Sequence, residues 1–214
     1  MIKRMTLLAK KEGMSTSDFR AHWAGPHAQL ALCMEGIAEY RHNRVDKTLW
    51  VNGGAAAAYS ADGIVELCFA DADLMRSAQA SLIGQKWIPD DERLFLKGWT
   101  LCVVDSVGDA PGEPLDKVLV PFHGVQCSRE ALWAEMQSAC QCLDSNASLN
   151  WTVSTACRQH LWSEPHPPEG IACFRFSNVA QAHAAFEPAG LLPSLFERHT
   201  HTAVAYLVNT LSLK

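Results

Sequence analysis

The stretch "GIVELCFADADLMRSAQASL" (63–82) opens as an apolar strand and turns into a helix at Asp71, a residue type that caps helix N-termini. A second stretch, "GIACFRFSNVAQAHAAFEPA" (170–189), repeats the arrangement with Asn178 in the capping place, 107 residues after Asp71. Two copies of one strand–helix unit in a chain of 214 residues point to an internal duplication. What flanks each copy then decides the fold.

Upstream, "KRMTLLAK" (3–10) and "KVLVPFHG" (117–124) are extended and apolar, and each leads to a Ser-capped helix. Ser15 has Asp18 three residues on, and Ser128 precedes "REALWAEMQSACQCL" (129–143). Phe19 and Leu132, the first strong apolar residues of these helices, are 113 apart. Strand-like "EYRHNRV" (39–45) and "LNWTVSTACRQHLW" (149–162) follow, and "WTLCVVDS" (99–106) and "AYLVNTLS" (205–212) close the halves, with Tyr206 placed on Trp99 at the 107 shift. Each half therefore reads strand, helix, strand, strand, helix, strand, the ferredoxin-like order.

The Gly-, Pro- and acid-rich run "DSVGDAPGEPLDK" (105–117) separates them, giving a first repeat over 1–106, a linker over 107–116 and a diverged repeat over 117–214. A four-stranded antiparallel sheet with both helices on one face must bury its other face. The expected α+β fold is two tandem ferredoxin-like (βαββαβ) repeats whose sheets meet face to face as a pseudo-dimeric barrel. The concave space between the sheets is the natural place for a small-molecule pocket. A further copy could still associate as a homodimer.

Composition narrows the function. Apolar residues make up 48% and charged residues 19%, as a packed chain needs, with a formal net charge of -5 and no run of Lys or Arg. Nucleic acid is not an expected partner. No apolar stretch reaches membrane-spanning length and the N-terminus does not read as a secretion signal, so a cytoplasmic protein with no membrane partner is expected. The eight cysteines sit mostly in apolar segments and read as small hydrophobes in a reducing compartment; "CQC" (140–142) is not a zinc spacing, and no metal is expected. Dinucleotide, P-loop and nucleophile-elbow motifs are absent. "VNGGAAAAYSADG" (51–63) reads as a mobile connection over the pocket mouth.

In "STSDFRAHWAGPHAQLALCMEGIAEYRHNRV" (15–45), Phe19, Trp23, His27, Leu30, Met34 and Ile37 form one stripe at helical spacing, which places His27 on the sheet-facing side. Gly25-Pro26 predicts a kink, with Pro26 opening a renewed helix. At about 100° per residue His22 stands roughly 140° from His27, too far round for chelation from one helix. An inward imidazole is either a satisfied core residue or a working one. The 113 shift puts Met136 at the place of Trp23 and Cys140 at that of His27, so one decorated half and one bare half suggest a single site.

The pattern F-R-x-H-W-x-x-x-H followed by Gly and Tyr-x-x-N, carried here by Phe19, His22, Trp23, His27, Gly36, Tyr40 and Asn43, resembles the EthD-like family of dimeric α+β barrels. "IPDDERLFLKGWTLCVV" (88–104) resembles that family's acidic segment, with Asp91, Glu92 and Phe95 as matches; the second half lacks both motifs and has His199 at the counterpart of Glu92. The resemblance implies a pocket for a small apolar or aromatic organic molecule in a bacterial catabolic or secondary-metabolic setting. It covers isomerase, cyclase, lyase and monooxygenase types among relatives.

The chemistry these residues permit is cofactor-independent. His27 would transfer a proton, Asp91 or Glu92 would orient it and Tyr40 would bind a substrate oxygen. Trp23 would form an aromatic wall, with His22, Glu92 and His199 as further substrate contacts. The acidic run 90–92 also reads as a solvated helix start, and His199, His201 and Asp91 as a second cluster. The alternatives are a binding or companion protein of an oxygenase system, without chemistry, and a haem-binding barrel with His27 or His199 as axial ligand.

Overall fold

The computed structural model describes residues 1–53, 59–108, 116–157 and 167–214. Most of the expected linker, and the centre of the 51–63 connection, lie outside them.

Each apolar segment forms a strand: β1 (Ile2–Lys10), β2 (Ile37–Asn52), β3 (Gly63–Phe69) and β4 (Leu96–Val107) in the first half, and β5 (Asp116–His123), β6 (Asn146–Cys157), β7 (Gly170–Phe176) and β8 (Thr202–Ser212) in the second. They close into one antiparallel barrel in the order β1-β3-β2-β8-β5-β7-β6-β4. Within each half the order is that of a ferredoxin-like sheet, and the halves join through β2–β8 and β4–β6. Closure satisfies both seams with ladder hydrogen bonds, which a stack of two open sheets would leave unpaired.

Equivalence of the halves can be read from register. Lys3 lies opposite Cys68, and Lys117 opposite Arg175, 107 residues further on. Lys3 also faces Val104 and Lys117 faces Val208, so the closing strands correspond at a shift of 104. The shift of 107 expected there is corrected by three residues: an odd slip would turn every side chain of the strand to the opposite face.

The helices cover the outside. The four expected caps all form: Ser15 on α1 (Thr16–His22), Asp71 on α3 (Ala72–Ala80), Ser128 on α5 (Arg129–Cys142) and Asn178 on α6 (Val179–Ala185). α7 (Leu191–His199) and α4 (Ile88–Phe95) complete the layers. Three cores result. One fills the barrel, with Met5, Leu7, Ile64, Leu119 and Tyr206; one lies between the first-half helices and the sheet, and one between the second-half helices and the sheet.

Pro26 does not break the helix. Residues Trp23–His27 form a π-helical turn between α1 and α2 (Ala28–Leu32), and the N–H of Ala28 donates to the Trp23 carbonyl five residues back. A widened turn dispenses with the donor proline lacks and moves the carbonyl its ring would strike, so the chain continues helically.

Candidate functional site

The stripe bearing His27 faces the outer surface of the barrel, because that is the surface the helices cover. Along β2 the side chains alternate: Asn43 points into the barrel, while Tyr40 and His42 point to the helices. The expectation that His27 opens into the space between the sheets is corrected accordingly. His27 belongs to the helix–sheet layer with Phe19, Trp23, Tyr40 and Phe95.

There the π-turn has a chemical consequence. His27 Nδ1 donates to Asp91 Oδ2 at 2.9 Å, and His22 Nε2 donates to Asp91 Oδ1 at 3.0 Å. The two imidazoles are five residues apart, too far round an α-helix to share a partner, but π-helical hydrogen bonding stacks residues at that spacing. One carboxylate from α4 thus holds two imidazoles from α1 and its π-turn. Burial alone would raise the Asp91 carboxyl; the hydrogen bonds from His27 and His22 outweigh it and hold the group below the ordinary range. A neutral His27 whose Nδ1–H is given to a carboxylate leaves Nε2 as its basic nitrogen.

Beneath this couple, Trp23 stacks on His42 with ring centroids 3.9 Å apart and planes 14° apart, and Tyr40 meets His42 edge-on at 4.7 Å. His42 is fully buried, and neither of its nitrogens has a hydrogen-bond partner among the described residues; Trp23 Nε1 is also unpartnered. Burial, with the nearby His27 and Arg44, lowers the His42 pKa to about 3, so the ring is neutral at neutral pH. Burial pushes the Tyr40 phenol up, keeping it protonated.

The acidic run divides along α4. Asp90 is exposed and pairs with Arg93, while Asp91 turns to the histidines. Glu92 is buried and accepts from Trp99 Nε1 at 2.9 Å, with partly buried Arg4 as a nearby cation. Orientation of His27 therefore falls to Asp91, and Glu92 anchors α4 to β4. His199 lies in the other half, donating Nε2–H to Glu135 at 2.8 Å, and His201 lies near Gln126. The expected grouping of His199 and His201 with Asp91 does not form, since Asp91 is committed to the helices of the first half.

The sequence profile of the EthD domain matches residues 11–98, a span that contains every residue of this couple and stack. The first repeat is EthD-like. No curated protein matches the chain. Among solved structures, an anthrone oxidase-like protein superposes with a TM-score of 0.66 at 9% identity, covering 99% of this chain and 92% of that one. Candidate monooxygenases from Fusobacterium nucleatum and Lactobacillus acidophilus give 0.55 and 0.54 at 8% identity, covering 100% and 98% of this chain and 97% and 93% of theirs. At such identities the likeness establishes the fold, that of the dimeric α+β barrels.

Comparison with the second half sets off the EthD-like repeat. At the 107 shift, Tyr40 and His42 correspond to Ala147 and Leu149; Arg4, equivalent through β1 and β5, corresponds to Val118. The buried face of α5 carries Met136, Ala139 and Cys140. The polar layer of one half is thus an apolar core in the other. Glu135, 113 residues after His22, takes Arg198 and His199 from α7, so the helix–helix ion pair survives there with its polarity reversed.

Inside the barrel lies a cavity of about 890 Å³, lined by Lys3, Glu66, Lys117, Asn150, Arg41 and Arg175 among others and by none of the residues expected to form the site. Sequence reading passed over this set. It also passed over His42, Arg4 and Arg44, although alternation in "YRHNRV" (40–45) puts polar residues on both faces of β2. Among the described residues no helix is long and apolar enough to cross a membrane, and no three His, Cys, Asp or Glu side chains are placed to hold a metal ion.

Proposed function

We propose that the EthD-like repeat is a proton-transfer site acting on a small enolisable or phenolic aromatic molecule, with His27 as the base or acid. The observation that carries this reading is the Asp91–His27 couple, set over a Trp23–His42–Tyr40 stack whose counterpart in the second half is apolar. The carboxylate fixes the imidazole tautomer and would stabilise the imidazolium formed when Nε2 takes a proton. Trp23 and neutral His42 supply an aromatic surface, and the Tyr40 phenol, held protonated, can donate to an oxygen that becomes enolate. Glu92, anchoring α4 through Trp99, keeps Asp91 in place.

The reading agrees with the anthrone oxidase-like and monooxygenase names of the structural neighbours. Anthrone is an enolisable aromatic ketone; removal of a methylene proton gives an electron-rich enolate, and reaction with O2 gives anthraquinone and water. Side chains alone can perform the proton step. The direct test incubates the protein with anthrone in air and follows quinone absorbance: turnover that disappears in His27→Gln supports the reading, and the absence of turnover removes it.

A second reading is a binding or companion protein. It is favoured by the barrel cavity of about 890 Å³, which none of the residues of the couple and stack lines. It predicts ligand binding that persists in His27→Ala without turnover. Haem ligation fits least, because Phe19, Trp23 and Phe95 fill the layer that a macrocycle would need.

A further inference from the structure

We propose that the barrel lumen is a second binding site, for a small organic carboxylate. Its head would lie on Lys3 and Lys117 and its apolar body against Met5, Val104, Leu119 and Val208. These four residues line the same 890 Å³ cavity, a volume suited to a small organic ligand. Met5 and Leu119 are the next inward-facing residues along β1 and β5 from the two lysines, and the apolar barrel core closes the lumen beyond them.

The polar set is built twice and completed once. Lys3 Nζ donates to Asn150 Oδ1 at 3.0 Å and Lys117 Nζ to Asn43 Oδ1 at 2.9 Å, each lysine reaching the asparagine of the other half. Ser106 and Thr210 hydroxyls donate to those same oxygens at 2.9 and 2.8 Å. Each asparagine donates to a main-chain carbonyl, Asn43 to Ile64 and Asn150 to Ile171. Both ammoniums also donate to Glu66, Lys3 to Oε2 at 2.8 Å and Lys117 to Oε1. Where the second half would repeat Glu66, it has Cys173.

Two consequences point to an anion. An ammonium has three N–H groups, and each lysine uses two on these partners, leaving one apiece. One carboxylate between a buried ammonium, Lys117, and a partly buried one, Lys3, also leaves a positive charge in a place where burial makes it costly. The rest of the lining does not cancel it. Arg41 pairs with Glu39, and Asp105 is held by Arg129. Asp116 and Arg175 both line the cavity and offset one another in charge, and Arg175 has no ion-pair partner among the described residues and a buried Nε without a hydrogen bond. A carboxylate with its two oxygens could take both remaining lysine protons, and the apolar floor favours one that carries a hydrocarbon body. His27 does not line the cavity, so this inference stands apart from the proton-transfer reading.

The test is titration calorimetry on the full chain with octanoate, octanol and inorganic phosphate. Octanoate is expected to bind one to one, with octanol and phosphate at least about tenfold weaker. Lys117→Met should weaken octanoate by about tenfold or more, and His27→Gln should leave it unchanged. Arg175→Met, at the rim and outside the buried network, should weaken it several-fold and serves if Lys117→Met does not fold. The proposal is overturned by absence of octanoate binding, by equal affinity for phosphate or octanol, by retained affinity in a folded Lys117→Met or in Arg175→Met, or by loss of binding in His27→Gln.

Discussion

Asp91 on α4 accepts from His27 Nδ1 at 2.9 Å and from His22 Nε2 at 3.0 Å, so one carboxylate spans a π-turn that brings two imidazoles to the same side. Removing it should be felt in both rings. Asp91→Ala is expected to cost about 1–3 kcal/mol in chemical denaturation, because two mostly buried donors lose their acceptor. The depressed carboxyl also fixes a sign: its stabilising contribution is present above the ordinary carboxylate pKa and lost as pH falls through the lower folded value. Asp91→Asn should flatten that acid limb, and an unchanged limb would place the acid sensitivity elsewhere.

His42 gives a second pH signature, on the other side of that range. Its pKa falls from 6.5 to about 3 on folding, so between those values the unfolded chain holds the extra proton. Stability should fall as pH drops below about 6.5, by up to about 1.4 kcal/mol per pH unit from this ring alone. His42→Leu, which copies Leu149 of the second half, should remove that slope. Denaturation midpoints across pH 3–7 would show it.

Gly63 and Trp23 form a close pair that a single methyl should disturb. Gly63→Ala is expected to cost about 1–3 kcal/mol, since the added Cβ would meet the indole. Gly25→Ala, where a Cβ meets nothing within 4 Å, serves as the control. In a double mutant with Trp23→Phe the Gly63→Ala penalty should shrink, which a double-mutant cycle measures.

In the lumen, Glu66 holds the buried Lys117 and partly buried Lys3 ammoniums, and its carboxyl lies well below the ordinary range because Lys117 and Lys3 outweigh the effect of burial. Glu66→Leu should cost about 3–5 kcal/mol, the scale for removing one partner of a buried ion pair. A thermal shift of only a degree or two would mean that solvent reaches these charges freely.

How much of this was legible in the sequence depends on which physical regularity each part obeys. Caps at Ser15, Asp71, Ser128 and Asn178 are local, and the strand–helix order follows from periodicity, so both could be read directly. The barrel could be inferred because each sheet has a second face to bury. Which face His27 addresses required knowing that the helices lie outside, and the pairing of His22 with His27 required the π-turn, which the assumption of 100° per residue hides. The lumen network was present as paired positions, Asn43 with Asn150 and Lys3 with Lys117, but its meaning rests on strand register, which apolar periodicity does not fix to the residue.

The central claim is that His27, held by Asp91, moves a proton on an enolisable aromatic. The most direct measurement is deuterium uptake at the methylene of anthrone in D2O under anaerobic conditions, followed by proton NMR. Wild type should accelerate exchange by about 100-fold or more over buffer, the scale of a positioned acid–base group; His27→Gln should abolish the acceleration and Asp91→Asn should reduce it. Exchange no faster than in buffer, or equally fast in His27→Gln, would contradict the account.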